Sequence, residues 1–150
     1  MTARNFGVAL VLSACVVSPA LAQTPVAAGR VKIASGNAFI IRQNVEIPAT
    51  VGLPVFQSDS LRTGGDGRIG VTMKDDTRVS IGPRSEVRLD RFAYAPADGQ
   101  VGFAMRVVRG VAAYVSGHIA KLAPDAVRLE TPAAIVGVRG TSVAISAGVE

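Results

Sequence analysis

Apolar and polar residues alternate along most of the chain after Gly29. In the clearest stretch, Ile69, Val71 and Met73 alternate with Gly70 and Thr72. Residues two apart in an extended chain point to the same side, so this period of two predicts half-buried β-strands. The same alternation recurs in segments 77–82, 85–92, 101–107 and 127–129.

Residues that favour turns stand where the alternation stops. They include Gly64–Gly67, Asp75–Asp76 and Gly82–Pro83, and Gly110 is expected to turn the chain between two strands. Only 116–123 has the pattern of a helical turn. Many short strands without a long helix predict an all-β fold, with a sandwich, a barrel or a solenoid open. The similarity of segments 68–73, 77–82 and 86–89 favours short strands stacked as an irregular β-solenoid or a sandwich.

The first 22 residues differ from the rest of the chain. Arg4 precedes an apolar run from Phe6 to Val17, and Ala20-Leu21-Ala22 is a small-x-small pattern before Gln23. This predicts a signal peptide over 1–22, cleaved between Ala22 and Gln23, then a linker over 23–28 and one domain over 29–150. No later apolar stretch reaches the roughly 18 residues of a membrane span, so no transmembrane anchor is expected after cleavage.

Cys15 supports an alternative interpretation of the same segment. Leu12-Ser13-Ala14-Cys15 resembles a bacterial lipoprotein box, in which Cys15 is lipidated. Both interpretations export the protein, as a periplasmic protein or as a lipoprotein. Cleavage at Ala22 leaves no cysteine, because Cys15 is the single cysteine, so the fold must form without disulfides.

The charge is basic, with 16 Lys and Arg against 11 Asp and Glu and a net charge of +5. Such an excess favours either an anionic polymer as partner or arginines solvated on outer strand faces. Nucleic acid is not expected as a partner, because no aromatic residues are interleaved with the basic ones to stack bases.

Candidate catalytic and metal-binding groups are few. His118 is the only histidine, and neither Ser116 nor Ser142 lies in a nucleophile motif. Asp75 and Asp76 fit a hairpin turn better than a pair of catalytic carboxylates. A calcium site from Asp59, Asp66, Asp75 and Asp76 lacks any known loop pattern, and the glycines at 64–67 lack the ending of a phosphate loop. We therefore expect no enzyme activity, catalytic residue, cofactor or metal.

Four segments, in order, resemble the FecR domain, the extracytoplasmic module of ferric-citrate-type regulators. They are Gly29-Arg30-Val31, Asp59-Ser60-Leu61-Arg62-Thr63-Gly64, Asp75-Asp76-Thr77-Arg78-Val79, and Thr131-Pro132 followed by Val138-Arg139-Gly140-Thr141. The resemblance implies structural roles for nine motif residues: Asp59, Thr63, Gly64, Asp75, Thr131, Pro132, Arg139, Gly140 and Thr141.

The expected roles of these motif residues are local. Asp59 and Thr63 should hydrogen-bond turn amides, and Arg139 should reach a carboxylate or carbonyl groups between strands. Gly64 and Gly140 should permit close backbone approach. Two positions depart from the family pattern: Ser58 and Asp76 stand where glycine is usual, and the turn at Asp76 must then tolerate a positive φ.

The resemblance implies a sensing module rather than a whole regulator, since the cytoplasmic sigma-factor segment and membrane helix of those regulators have no counterpart in this sequence. We expect a non-enzymatic periplasmic module for protein interaction or envelope signal sensing. An envelope protein partner should dock on a sheet edge, with an unpaired strand after Arg139–Thr141 as the candidate, or on an arginine-bearing face. The alternative is an envelope structural or anionic-glycan-binding domain.

Overall fold

The computed structural model describes residues 17–148. Cys15 and the apolar run that precedes it lie outside these residues, so the signal peptide and the lipidation of Cys15 stay predictions. Ala22 and Gln23 lie in an exposed, irregular segment before β1. Within the described residues, no helix is long and apolar enough to cross a membrane.

The described residues form twelve strands and very little helix. The strands are β1 (Gly29–Ser35), β2 (Ala38–Arg42), β3 (Val45–Pro48), β4 (Pro54–Val55), β5 (Ser60–Thr63), β6 (Arg68–Met73), β7 (Arg78–Ile81), β8 (Glu86–Ala95), β9 (Gln100–Val115), β10 (Val127–Glu130), β11 (Ile135–Gly137) and β12 (Ser142–Ala147). The helix α1 (His118–Leu122) lies in the segment predicted to form a helical turn, and single 3-10 turns cover Pro96–Asp98 and Pro124–Ala126.

All twelve strands belong to one curled sheet whose two halves share β9. Half A has the order β4-β1-β6-β7-β9-β12, and half B has the order β3-β2-β5-β8-β9-β10-β11. Every pairing is antiparallel except that of β10 with β9, which is parallel. The all-β expectation is confirmed, and the two halves face each other across one core, as sheets do in a sandwich.

Gly110 lies at the corner between the halves. Residues of β9 before it pair with β8, and residues after it pair with β7 and β12. Gly110 has a φ of +82°, and a Cβ there would overlap Ser85 Oγ and lie 2.6 Å from Ser85 Cα. The predicted turn at Gly110 is therefore a bend inside one strand of 16 residues, which carries the chain from one half into the other.

The alternating apolar residues fill the space between the halves. Val71 and Val79 of half A face the same core as Leu61, Phe103 and Met105 of half B, and all five are at most 4% exposed. Complete burial of such a side chain contributes about 1.5–3 kcal/mol, so this shared core holds the two halves together. The opposite face of each half therefore points outward, and the candidate interaction surfaces lie on these outer faces.

Candidate functional site

Asp59 is the last residue of the loop between β4 and β5 and is 2% exposed. Its carboxylate accepts hydrogen bonds from Arg42 Nη2 and Nε at 2.8 and 3.0 Å and from the Phe56 amide at 2.9 Å. Arg42 also stacks on Phe56, with 4.5 Å between the guanidinium carbon and the ring centroid. The hydrogen bonds that Arg42 donates to Asp59 raise the pKa of Arg42 above its ordinary value. Asp59 thus ties this loop to β2.

Thr63 holds the corner of the sheet. Its hydroxyl donates to the carbonyl of Gly82 at 2.6 Å and accepts from the amide of Ser85 at 3.0 Å. Asn37 packs closely against the backbone of the neighbouring Gly64, since a Cβ on Gly64 would lie 2.9 Å from Asn37 Cβ. Both residues therefore serve the packing of a turn.

Asp75 joins the β6–β7 turn to helix α1. Its carboxylate accepts from the Thr77 hydroxyl at 2.7 Å, the Thr77 amide at 3.2 Å and the Ile119 amide at 3.1 Å. Asp75 and Thr77 are both 0% exposed. The following residue, Asp76, has a φ of +66°, as predicted for a residue that stands where the FecR pattern usually has glycine. Ser58, the other such position, has a φ of +74°.

The remaining motif residues lie on either side of β11. The Thr131 hydroxyl accepts from the amides of Ala133 and Ala134, which closes the turn that contains the exposed Pro132. The carbonyl of Thr141 accepts from the Ser116 amide at 2.8 Å, and that of Gly140 accepts from the Ser116 hydroxyl at 2.6 Å. These bonds join the start of β12 to the end of β9.

Two expectations for this segment are wrong. Arg139 is exposed and forms no salt bridge or hydrogen bond within residues 17–148. A Cβ on Gly140 would meet nothing within 4 Å, and its φ lies outside the left-handed region. The structure thus leaves the Arg139 guanidinium available at the surface.

His118 meets an aspartate but no nucleophile. Its Nδ1 lies 3.4 Å from Asp76 Oδ2 and 2.9 Å from the carbonyl of Asp75. The nearby hydroxyl groups are engaged elsewhere, that of Thr77 by Asp75 and that of Ser116 by Gly140. The sequence did not predict that the β6–β7 turn and α1 meet, since 42 positions separate Asp76 from His118 in the chain.

The carboxylates considered for calcium do not converge. Asp59 is paired with Arg42, Asp66 accepts from the Asn37 side chain at 3.0 Å, and Asp75 caps Ile119. The Asn37 amide, at 3.1 Å from Asp66 Oδ1, lowers the pKa of Asp66. Among residues 17–148, no group of three His, Cys, Asp or Glu side chains is arranged to hold a metal ion.

The four strands at the ends of the two halves differ in how they are protected. β3 contains Glu46 and Pro48, β4 is two residues that include Pro54, and β11 is three residues long. β12 is six residues long, pairs with β9 without a bulge, and contains neither proline nor a charged residue. Edge strands usually avoid association through charge, proline, bulges or shortness. β12 uses none of these, so it is the edge most open to another strand.

A groove separates β12 from the β10–β11 hairpin. Its floor is apolar, formed by Val127, Val136, Val138 and Val143. Asp125, Arg128 and Arg139 stand at its rim. The groove opens because β10 and β12 pair with different parts of β9, at 103–106 and 110–115, and then diverge. It offers apolar contact beside the open edge, with the exposed guanidinium of Arg139 for an anionic group.

Comparison with protein-family models matches residues 59–150 to the family described as FecR protein. The chain belongs to the FecR family. No curated protein and no solved structure matches it. The FecR match begins at Asp59 and includes all nine motif residues, whereas Arg42 and Phe56, the partners of Asp59, precede the matched segment.

The outer face of half B in this FecR-family chain carries most of the ion pairs. Arg88 lies 3.1 Å from Asp90, Arg106 lies 3.0 Å from Glu130, and Arg62 lies 3.4 Å from Glu86. Arg106 meets Glu130, and Arg62 meets Glu86, across neighbouring strands, where facing residues are close. Arg88 and Asp90 lie two positions apart on β8. The sequence favoured either an anionic polymer as partner or arginines solvated on outer strand faces, and it did not predict these ion pairs. Alternation on each strand predicts which residues face outward, but strand order decides which of them meet.

Proposed function

We propose that this FecR-family chain is a non-enzymatic periplasmic module that binds an envelope protein, and that the partner adds a strand at the β12 edge. The observation that carries this proposal is the unprotected edge of β12. Main-chain hydrogen bonds along an open edge supply affinity in strand addition, and pockets for alternate side chains supply specificity. The apolar groove beside Val143 and the exposed guanidinium of Arg139 offer such contacts.

The geometry around His118 supports a binding role over catalysis. A catalytic histidine needs a nucleophile or substrate proton within hydrogen-bond reach. In the described residues, His118 Nδ1 faces Asp75 and Asp76, and the Ser116 hydroxyl is donated to Gly140. The buried carboxylates of Asp59 and Asp75 are likewise used within the fold.

The alternative of glycan binding through arginines is less well supported on half B. Five arginines there, Arg62, Arg88, Arg106, Arg109 and Arg128, each lie within 4 Å of a carboxylate, whereas Arg91 forms no salt bridge among the described residues. An anionic polymer would have to displace these partners. The two modes of binding also differ in salt dependence, because a polymer held by charge is released as ionic strength rises, whereas strand addition is much less sensitive.

The test compares lysine substitutions at an edge strand and at an internal strand of half A. Ala144 and Ser80 are both exposed and both face Ala113, from opposite sides of β9. Ala144→Lys adds a charge to the edge, and Ser80→Lys adds the same charge two strands away. After crosslinking in the native envelope, Ala144→Lys should recover the specific partner at least about tenfold less than wild type. Ser80→Lys should recover it normally. Equal recovery with both variants, or no specific partner for the wild type, would overturn the proposal.

A further inference from the structure

The outer face of half A carries basic residues that no acid of the described chain neutralises. We call this the basic face and define it by Arg30, Lys32, Arg68, Lys74 and Arg78. Strand pairing sets Thr72 beside both Arg30 and Arg78, so these two arginines lie in one row across β1, β6 and β7. Within residues 17–148, no residue of the basic face forms a salt bridge.

The charges of the two halves are distributed unequally. On half B, most outward arginines lie beside glutamates and aspartates, as Arg106 does beside Asp90 and Glu130. On half A, like charges share one face, an arrangement that costs free energy unless counter-charge comes from outside the chain. The basic face is therefore complementary to an anionic surface.

The centre of the basic face is a shallow depression. Arg30, Lys32 and Lys74 line it, with Asp76 as the one acidic residue. Arg30 Nη1 donates to the carbonyl of Gly52 at 3.1 Å, a neutral partner that orients the guanidinium and leaves its charge unmatched. Asp76 lies beside His118, with 3.4 Å between its Oδ2 and Nδ1. The depression thus presents three basic side chains to a ligand.

An apolar side chain stands among these charges. Ile33 is 59% exposed and lies over Gly70, where a Cβ would come within 3.2 Å of Ile33 Cβ. The segment that leads into β1 also exposes Val26, which lies after the predicted cleavage site. Basic residues beside exposed apolar ones are typical of protein surfaces that lie at a lipid interface. A soluble polyanion would use the charges alone.

We propose that the basic face rests on an anionic membrane surface. Arg30, Lys32 and Lys74 bind phosphate groups of the lipid headgroups, and Ile33 enters the boundary between headgroups and acyl chains. This leaves β12 free, because it lies at the far edge of half A, three strands from β6. The inference is independent of strand addition, and either can fail alone.

The experiment is co-sedimentation of the purified protein that begins at Gln23, the predicted mature form, with vesicles of equimolar phosphatidylglycerol and phosphatidylcholine, and with vesicles of phosphatidylcholine alone. Wild type should sediment with the anionic vesicles only. A variant with Lys32→Gln, Lys74→Gln and Arg78→Gln should bind roughly a hundredfold less tightly, given the contribution of each basic residue near an anionic surface. The matched control, Arg88→Gln, Arg106→Gln and Arg109→Gln, removes three charges from half B and should bind as wild type does.

A second pair of measurements separates the lipid surface from a soluble polyanion. Ile33→Ser should weaken vesicle binding severalfold and leave retention on immobilised polyphosphate unchanged, because only lipid offers an apolar layer. Equal losses in the two triple variants would overturn the proposal. So would retention on polyphosphate without vesicle binding, which would assign the face to a soluble polymer.

Discussion

The carboxylate of Asp75 accepts a hydrogen bond from the backbone amide of Ile119 at 3.1 Å, across 44 positions of the sequence. The same carboxylate accepts from the amide and the hydroxyl of Thr77, so one side chain holds the β6–β7 turn against helix α1. All of these groups are buried. The turn motif at Asp75 thus makes a tertiary contact in this FecR-family fold, and this contact accounts for the position of α1.

Asp75→Ala should lower the free energy of unfolding by about 3 kcal/mol, because it leaves several buried donors without an acceptor. Urea denaturation followed by circular dichroism measures this change. Asp98→Ala is the control, since Asp98 is exposed in a 3-10 turn, and it should stay within about 0.5 kcal/mol of wild type. Similar losses in the two variants would contradict the role assigned to Asp75.

Ser58→Gly should stabilise the protein by about 1 kcal/mol. Ser58 has a φ of +74°, a left-handed conformation that costs a residue with a Cβ about 1–2 kcal/mol and costs glycine little. Ser60→Gly, two positions on in strand β5, should instead destabilise by about 0.5–1 kcal/mol. Thermal unfolding of the two variants should therefore shift in opposite directions, and a shift in the same direction would refute the argument.

Gly110→Ala should cost at least about 3 kcal/mol or prevent folding, since the new Cβ would overlap Ser85 and the φ of +82° disfavours any side chain. Gly137→Ala is the matched control, because a Cβ on Gly137 meets nothing within 4 Å. Comparison of soluble yield and unfolding midpoint for the two variants tests whether Gly110 makes the corner. Normal stability of Gly110→Ala would rule that out.

Tyr114→Phe should remove a sensitivity to alkaline pH. The hydroxyl of Tyr114 is buried without a hydrogen-bond partner among the described residues. Burial raises the pKa of Tyr114, so the folded state keeps the phenol neutral at a pH where the unfolded chain ionises it. The stability from Tyr114 is then complete below the unfolded pKa of about 10 and is lost as pH rises above it.

Urea titrations between about pH 8 and pH 11 measure this effect. Wild type should lose stability more steeply than Tyr114→Phe over this interval, and the variant should be equal or slightly more stable near pH 7, since it removes an unsatisfied hydroxyl. Tyr94→Phe, at a half-buried position, should follow the wild-type slope. An unchanged slope in Tyr114→Phe would mean that Tyr114 does not carry the alkaline loss.

The local features of this fold could be predicted from the sequence, because they depend on neighbouring residues. Alternation predicted that Val71 and Met73 face inward. The positive φ of Asp76 was predicted because Asp76 stands where the FecR pattern usually has glycine. Long-range pairing could not be predicted in the same way. The bend at Gly110 exists because β9 pairs with two different strands on one side, and neither partner can be recognised from the residues of β9.

In the candidate sites, too, local contacts could be predicted from the sequence and long-range contacts could not. Asp59 was expected to bond turn amides and does so at Phe56, but its main partner, Arg42, lies 17 positions away on β2. Arg139 was expected to reach a carboxylate or carbonyl groups between strands, but it is exposed. Which edges are protected depends on strand order, so the openness of β12 required the structure, although its sequence already lacked charge and proline.

Site-specific photo-crosslinking in the native envelope tests the central claim, that β12 is the docking edge. A photoreactive residue in place of Ser146 lies on β12, one in place of Ser80 lies on an internal strand of the same face, and one in place of Val45 lies on the protected edge β3. The account predicts one specific protein adduct from position 146 and none from positions 80 and 45. Adducts from position 45 alone, or the same adducts from all three positions, would contradict it.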